Sequence, residues 1–408
     1  MLDGRPESGR PESGRPGFPL PESGGADSGR WRRRARTAGP AALAFLGARV
    51  FDVLVVALVA LRPSRTYARG DIAGALTSWD GGWYRRITET GYPTSLSFAP
   101  GGGVRHTTLA FFPAYPGVVA GLRAVTGLGF LPVALTVALV AGTVAAAGVP
   151  LLLAPHLGSS AATRAGVLWA CSPVSAVLVM TYSEGLFTAE AVLFLLLLGR
   201  RRYRWLVALV PVMALTRGVL LPFAAVLAVH LWHRRPDLVS ASRRVRAALA
   251  VAAVVGLSAL WPAVVAVRTG RWDAYLLVQQ SWQHRLVPVL PWGAAVLGLG
   301  NGPGSQGRDT VVLTAVVCVA LAIACLTVGL PAELTTFAIA YLVYVVVLLP
   351  PTPSFLRFTV PLVTLAAPPA VWLRTRSAMV VALAGCLLGQ VWWLQSHLPS
   401  TALAHLTP

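Results

Sequence analysis

The chain has 408 residues, of which 55% are hydrophobic and only 12% charged, and a formal net charge of +19. Soluble domains carry roughly 25% charged residues. A chain with about half that share cannot dress a globular surface, so its surface must face lipid. The basic excess is nearly all Arg and does not signal nucleic acid. The Arg clusters stand beside apolar runs, as in loops held at the cytoplasmic face against anionic lipid.

Residues 1–40 contain the low-complexity run GRPESGRPESGRPGFPLPESGG. A stretch so rich in Pro, Gly, Ser and Arg buries no core, and 1–40 is expected to be a disordered cytoplasmic tail. No apolar stretch follows Met1, so the run does not read as a signal peptide. Arg30, Arg32, Arg33, Arg34 and Arg36 precede the first apolar run, which predicts a cytoplasmic N-terminus.

Apolar runs follow at 41–61, 109–126, 131–153, 165–182, 184–199, 205–233, 247–267, 311–329, 333–350, 356–373 and 378–396. About 20 residues cross a hydrocarbon core about 30 Å thick. The runs therefore predict an all-α polytopic membrane protein, a bundle of ten or eleven transmembrane helices spanning 41–408. They are continuous rather than alternating, which excludes barrel strands. The first crossing carries 62–108 outside. Arg374 and Arg376 favour the inside, which puts the 350–358 turn and 268–310 outside and 234–246 inside.

Arg200, Arg201, Arg202 and Arg204 also favour the inside. Only the run 205–233 separates them from Arg234, too little for two full crossings. Either one basic cluster lies outside, or 205–233 is a broken, re-entrant element hinged near Thr216-Arg217-Gly218. The second is favoured, since broken helices are tolerated at membrane depth where they line a cavity. Cys171, Cys318, Cys325 and Cys386 all lie in apolar runs and read as small core residues, neither disulfides nor metal ligands.

The chemistry concentrates in the first outer loop, in Ser78-Trp79-Asp80-Gly81-Gly82-Trp83-Tyr84-Arg85-Arg86-Ile87. Trp79, Trp83 and Ile87 recur every fourth residue, with Tyr84 beside them. That spacing predicts one aromatic face of a short amphipathic helix at the interface. Asp80 lies beside this face. It is either a solvated or capping acid, or the proton acceptor of a sugar site whose rings stack on the sugar. His106 precedes the aromatic stretch Phe111-Phe112-Pro113-Ala114-Tyr115-Pro116 and is a weaker polar candidate.

Glu184, in Thr181-Tyr182-Ser183-Glu184-Gly185, lies between two apolar runs. An acid there is either a helix-terminal dipole partner or a functional group, because burying it is expensive. Arg217 falls mid-run and requires an anion, either a lipid phosphate or Glu184. Arg357 opens a late span, either as a snorkelling interfacial residue or as a phosphate clamp, for which its planar guanidinium is suited. Charged residues deep in the spans are otherwise few. Among them, Asp52 follows Arg49 at the spacing of an in-helix ion pair.

Together, Trp79-Asp80-Gly81-Gly82-Trp83-Tyr84 with Ile87 and Gly91-Tyr92, then Ala110 to Pro116, resemble the signature of bacterial relatives of the PIG-V mannosyltransferases. Tyr182-Ser183-Glu184-Gly185-Leu186-Phe187 is similar to that family's Tyr-Ser-Glu-Ser-Leu-Phe element, and Thr216-Arg217 and Leu356-Arg357-Phe358 resemble two later blocks. Gly185 stands where the family has Ser, and Ala114 where it usually has Leu. The resemblance covers roughly residues 41–373.

It implies a GT-C fold glycosyltransferase, and specifically a mannosyltransferase. The donor it implies is a sugar on polyprenyl phosphate, taken at the extracytoplasmic face of the plasma membrane. Asp80 is then the general base. Trp79, Trp83, Tyr84, His106, Glu184, Arg217 and Arg357 are the expected substrate contacts. The acceptor is a lipid, glycolipid or protein. No cofactor is expected, and a single leaving phosphate does not demand a metal. The alternatives from other classes are a polytopic transporter or lipid flippase, and a non-catalytic scaffold of envelope assembly.

Overall fold

Arg and Ala are strong helix formers, and they carry the first helix out beyond its apolar run: α1 spans Asp27–Ala60. The structure, a computed structural model, describes residues 27–62, 67–234, 240–282, 308–349 and 354–398, with a few isolated positions between them. Residues 27–40, expected in a disordered tail, are thus helical, and residues 1–26 lie outside the described residues. Helices dominate the described chain. Its only extended pairing is an isolated bridge between Phe98 and Val104.

The first loop forms two short helices, α2 (Ile72–Leu76) and α3 (Asp80–Thr90). α4 (Ala114–Thr126) has 13 residues, about 20 Å at 1.5 Å per residue. That is short of the hydrocarbon thickness. Tyr115 in its first turn donates to the Ala134 carbonyl at 3.1 Å, and both residues share a cluster with Trp83, Tyr84 and Phe130. The expected crossing at 109–126 is therefore corrected to a shorter helix held at the α3 end of the bundle.

α5 runs from Phe130 to Cys171 and contains the non-helical Gly158, at φ 76 and ψ 158. A left-handed φ is costly for any residue with a Cβ. The chain reverses there. A Cβ on Gly166 would meet Pro150 at 2.6 Å and Ala41 of α1 at 2.7 Å, so the second limb returns along the first. The first limb takes up the run expected at 131–153, whereas the run expected at 165–182 is corrected: its helix ends at Cys171 and the rest leaves as the 3₁₀ turn that follows. The chain then forms a 3₁₀ turn, Pro173–Val179, bent by 116° against α6 (Glu184–Gly199).

α7 (Tyr203–Thr216) and α8 (Leu221–His233) replace the single run expected at 205–233. The Tyr203 hydroxyl and His230 Nε2 are 3.0 Å apart, so the start of α7 and the end of α8 lie together. The segment is thus a helical hairpin, with Arg202, Arg204 and Arg234 at its base and Arg217 at its apex. Glu333 holds His230 Nδ1 at 3.0 Å, pinning that base to α13 (Ala332–Leu348).

α9 (Ala241–Leu257) and α10 (Leu260–Thr269) make a broken span bent by 45°. α11 (Ala274–Ser281) and α12 (Arg308–Ala324) follow. The last descending segment is not a continuous helix. It comprises α14 (Ser354–Phe358), a 3₁₀ turn at Val363–Ala366 and α15 (Ala367–Trp372), before α16 (Arg376–His397). Among the described residues, three helices have the length and apolarity to cross a membrane alone: Arg34–Ala60, Phe130–Cys171 by its first limb, and Arg376–His397. On α1 and α16, Leu43, Leu58, Val381 and Leu388 are each 67% exposed or more, the apolar surface a lipid solvent requires.

Candidate active site

α3 turns its aromatic side inward: Trp83, Tyr84 and Ile87 are buried, with Gly81 beside them. Gly81 permits a close approach, because a Cβ there would overlap the Thr181 hydroxyl. Gly82 faces open space and needs no such contact beyond 3.8 Å. The residues around Thr181 lock onto the loop ahead of α3. Thr181 N donates to the Leu76 carbonyl at 3.2 Å, and the Tyr182 hydroxyl donates to the Ser78 carbonyl at 3.0 Å. Tyr84 and Ser183 hydroxyls meet at 2.8 Å. Trp79, immediately before Asp80, holds a left-handed φ of 58, a conformation that costs on the order of 1–3 kcal/mol and concentrates at functional sites.

This lattice brings together four charged groups from four parts of the chain. Arg357, from α14, forms an ion pair with Asp80 and lies 3.8 Å from Glu184. Arg217, at the apex of the α7–α8 hairpin, lies 2.9 Å from Glu184. Glu184 is sealed, at 1% exposure, whereas the Asp80 and Arg357 side chains keep 16% and 15%. The cluster therefore opens on the Asp80–Arg357 side. Phe358 lies under both guanidiniums, 4.3 Å from Arg217 and 5.3 Å from Arg357, and Tyr182 is 5.5 Å from Arg357. Cation–π contact of this kind is worth roughly 0.5–2 kcal/mol, and it keeps each fork in plane.

Burial pushes the Asp80 carboxyl above the ordinary carboxylate range; Arg357 opposes that rise and Glu184 adds to it. Asp80 is thus a stronger base than a solvated aspartate, at the most open edge of the cluster. Among the described residues, no group of three or more His, Cys, Asp or Glu is arranged to hold a metal ion.

Asp80, Glu184, Arg217 and Arg357 thus converge, and Tyr84 joins them through Ser183. Trp79 flanks Asp80 on the backbone. Trp83 and His106 lie elsewhere. Trp83 stacks on Phe111 at 5.8 Å, and both Trp83 and His106 meet Trp282 edge-on. They line an open cleft of about 290 Å³ on the flank of α3, beside Arg86 and Tyr92. Phe358, Ser183 and Tyr182 also join the site without an expected role; their sequence signal is their place in the Tyr182–Phe187 and Leu356–Phe358 blocks, beside Glu184 and Arg357.

No family model matches the chain, and no curated protein matches it. Among solved structures, ArnT from Cupriavidus metallidurans, in a crystal structure bound to undecaprenyl phosphate, is similar with a TM-score of 0.48 and 18% identity. That likeness covers 83% of this chain, which spans only 62% of the ArnT chain. No residue role assigned to this chain rests on it.

Proposed function

We propose that this protein is a membrane glycosyltransferase that takes a sugar from a polyprenyl-phosphate carrier, with Asp80 as general base. The observation that supports this reading is the convergence of Asp80 and Glu184 with Arg217 and Arg357 in an apolar surround. Desolvation of buried ion pairs can exceed their Coulombic gain, so four such groups serve chemistry better than they serve stability. In the reaction, the acceptor hydroxyl oxygen attacks the anomeric carbon and forms the new C–O bond. The bond from that carbon to the phosphate oxygen breaks, and its electron pair leaves on the lipid phosphate. Asp80 accepts the hydroxyl proton. Arg357 and Arg217 stabilise the charge that develops on the phosphate. Glu184 holds both guanidiniums in place between turnovers. Attack opposite the leaving group inverts the anomeric centre.

Mannose as the sugar, kinship with the PIG-V relatives, and an active site on the extracytoplasmic face belong to the same proposal. They draw on the motif resemblance and on the Arg clusters at the far end of the bundle. The test is transfer of labelled sugar from polyprenyl-phosphate-mannose to a membrane lipid extract by the purified protein. Asp80→Asn should lower transfer by roughly 10²–10⁴-fold with expression intact. Full activity in that variant would overturn the mechanism, and movement of intact lipid without transfer would favour a flippase.

A further inference from the structure

A second buried ion pair lies away from the charged cluster, and the chemistry above does not use it. Arg49 and Asp52 on α1 are 3% and 0% exposed and pair at 2.8 Å. The Arg49 guanidinium also donates to the Ser175 carbonyl, and to the Ser175 hydroxyl at 3.2 Å. From α16, Gln390 donates to the Ser172 carbonyl at 3.1 Å and to the Ser175 hydroxyl at 2.9 Å. Ser175 is thus the node where α1, α16 and the end of α5 meet.

Ser175 sits within the Pro173–Val179 turn. A 3₁₀ stretch of seven residues is long for its kind and has poor internal hydrogen bonding. At membrane depth no water completes its carbonyls. Arg49 donates to the Ser175 carbonyl within the turn, and Gln390 to the Ser172 carbonyl just before it. Four residues beyond Val179 the chain reaches Ser183 and then Glu184. Over that stretch it makes the three contacts to the α2–α3 segment through Leu76, Ser78 and Tyr84. A displacement of Ser175 is therefore passed directly to Glu184 and to the loop that carries Asp80. A buried ion pair is weak evidence of stabilisation, whereas fixing one arrangement of a turn is a use such a pair serves.

We propose that Arg49, with Asp52 and Gln390, is a positioning residue. It sets the depth of the 180–184 turn, and thereby the alignment of Asp80 with the Arg217–Arg357 pair. The catalytic consequence rests on the glycosyltransferase reading; the mechanical one does not. A misplacement of about 1 Å costs on the order of 10²-fold in rate.

The test compares the full-length protein with the variant Arg49→Met/Asp52→Leu, which replaces the pair by apolar groups of similar volume and leaves no orphaned charge. Expected are unfolding at the wild-type temperature, a loss of about 10²-fold in kcat, and donor and acceptor KM within about twofold. Gln390→Leu should lose less, and Arg49→Lys with Asp52 intact should recover part of kcat. Hydrogen exchange of the 176–186 peptide should accelerate in the apolar variant whether or not an activity is found. Wild-type kcat together with wild-type exchange would overturn the proposal. Faster exchange in a protein that transfers no sugar would sustain the positioning role and reject the glycosyltransferase reading.

Discussion

Glu184 holds the strongest test of how the charged cluster is balanced. Two carboxylates face two guanidiniums, so the formal charge of the four is zero. Glu184→Gln keeps the shape and takes that sum to +1. Arg217, 2.9 Å away and 10% exposed in its side chain, then loses its only carboxylate neighbour within the cluster at that distance. Leaving one member of a buried pair uncompensated costs about 3–5 kcal/mol, and that loss is expected in unfolding of the detergent-solubilised protein. Glu184→Gln with Arg217→Met leaves Asp80 facing Arg357 and returns the sum to zero. This double variant should recover most of the loss. Polyprenyl phosphate should raise the unfolding temperature of Glu184→Gln more than that of the wild type, because the anion replaces the missing charge. A single variant that lost under about 1 kcal/mol, or a double variant less stable than the single one, would refute the reasoning.

Three further outcomes follow from the same geometry. Because burial raises the Asp80 carboxyl, transfer should fall with acidification through a midpoint above the ordinary aspartate value of about 3.9; a pH–rate profile flat down to about pH 4 would contradict the assignment of the base. Gly81→Ala should depress activity at least about tenfold by driving α3 off Thr181, with recovery in Gly81→Ala/Thr181→Ala, whereas Gly82→Ala should be silent in the same transfer assay. Arg357→Lys keeps the charge but gives up the planar contacts with Tyr182 and Phe358, so kcat/KM should fall at least about tenfold, measured at saturating acceptor.

Much of the architecture was legible because lipid imposes a length and an apolarity on every crossing. A break near Thr216-Arg217-Gly218 could be read from two basic clusters with too little chain between them for two spans, and the Tyr203–His230 contact closes the resulting hairpin at its base. The run 109–126 misled because its apolar length matches a span, while the pairing of Tyr115 with Ala134 holds it at one end. Asp80, Glu184, Arg217 and Arg357 each stood out as a costly charge in or beside an apolar run. Their convergence did not, because it depends on the 116° bend after Val179 and the turn at Gly158. Trp83 and His106 carried the composition of a sugar contact but occupy the flank of α3, since an aromatic spacing fixes a helix face and not what that face meets. Arg49 and Asp52 read as an ordinary in-helix pair, because Ser175, the other partner of Arg49, is 126 positions away.

The neutrality of the four-group cluster has a consequence for how a ligand arrives. A cleft with excess charge of one sign focuses its field and gathers counter-ions from solution. A set of charges that cancel over a few ångströms casts little field of its own beyond its mouth, so the cluster itself adds no steering for dissolved phosphate. Under the proposed function, the anion has a second route to the cluster. A hydrocarbon tail provides it by confining its headgroup to the membrane and letting it diffuse laterally to the opening beside Asp80. The site would thus select lipid-borne phosphate by its route of approach, before any guanidinium touches it.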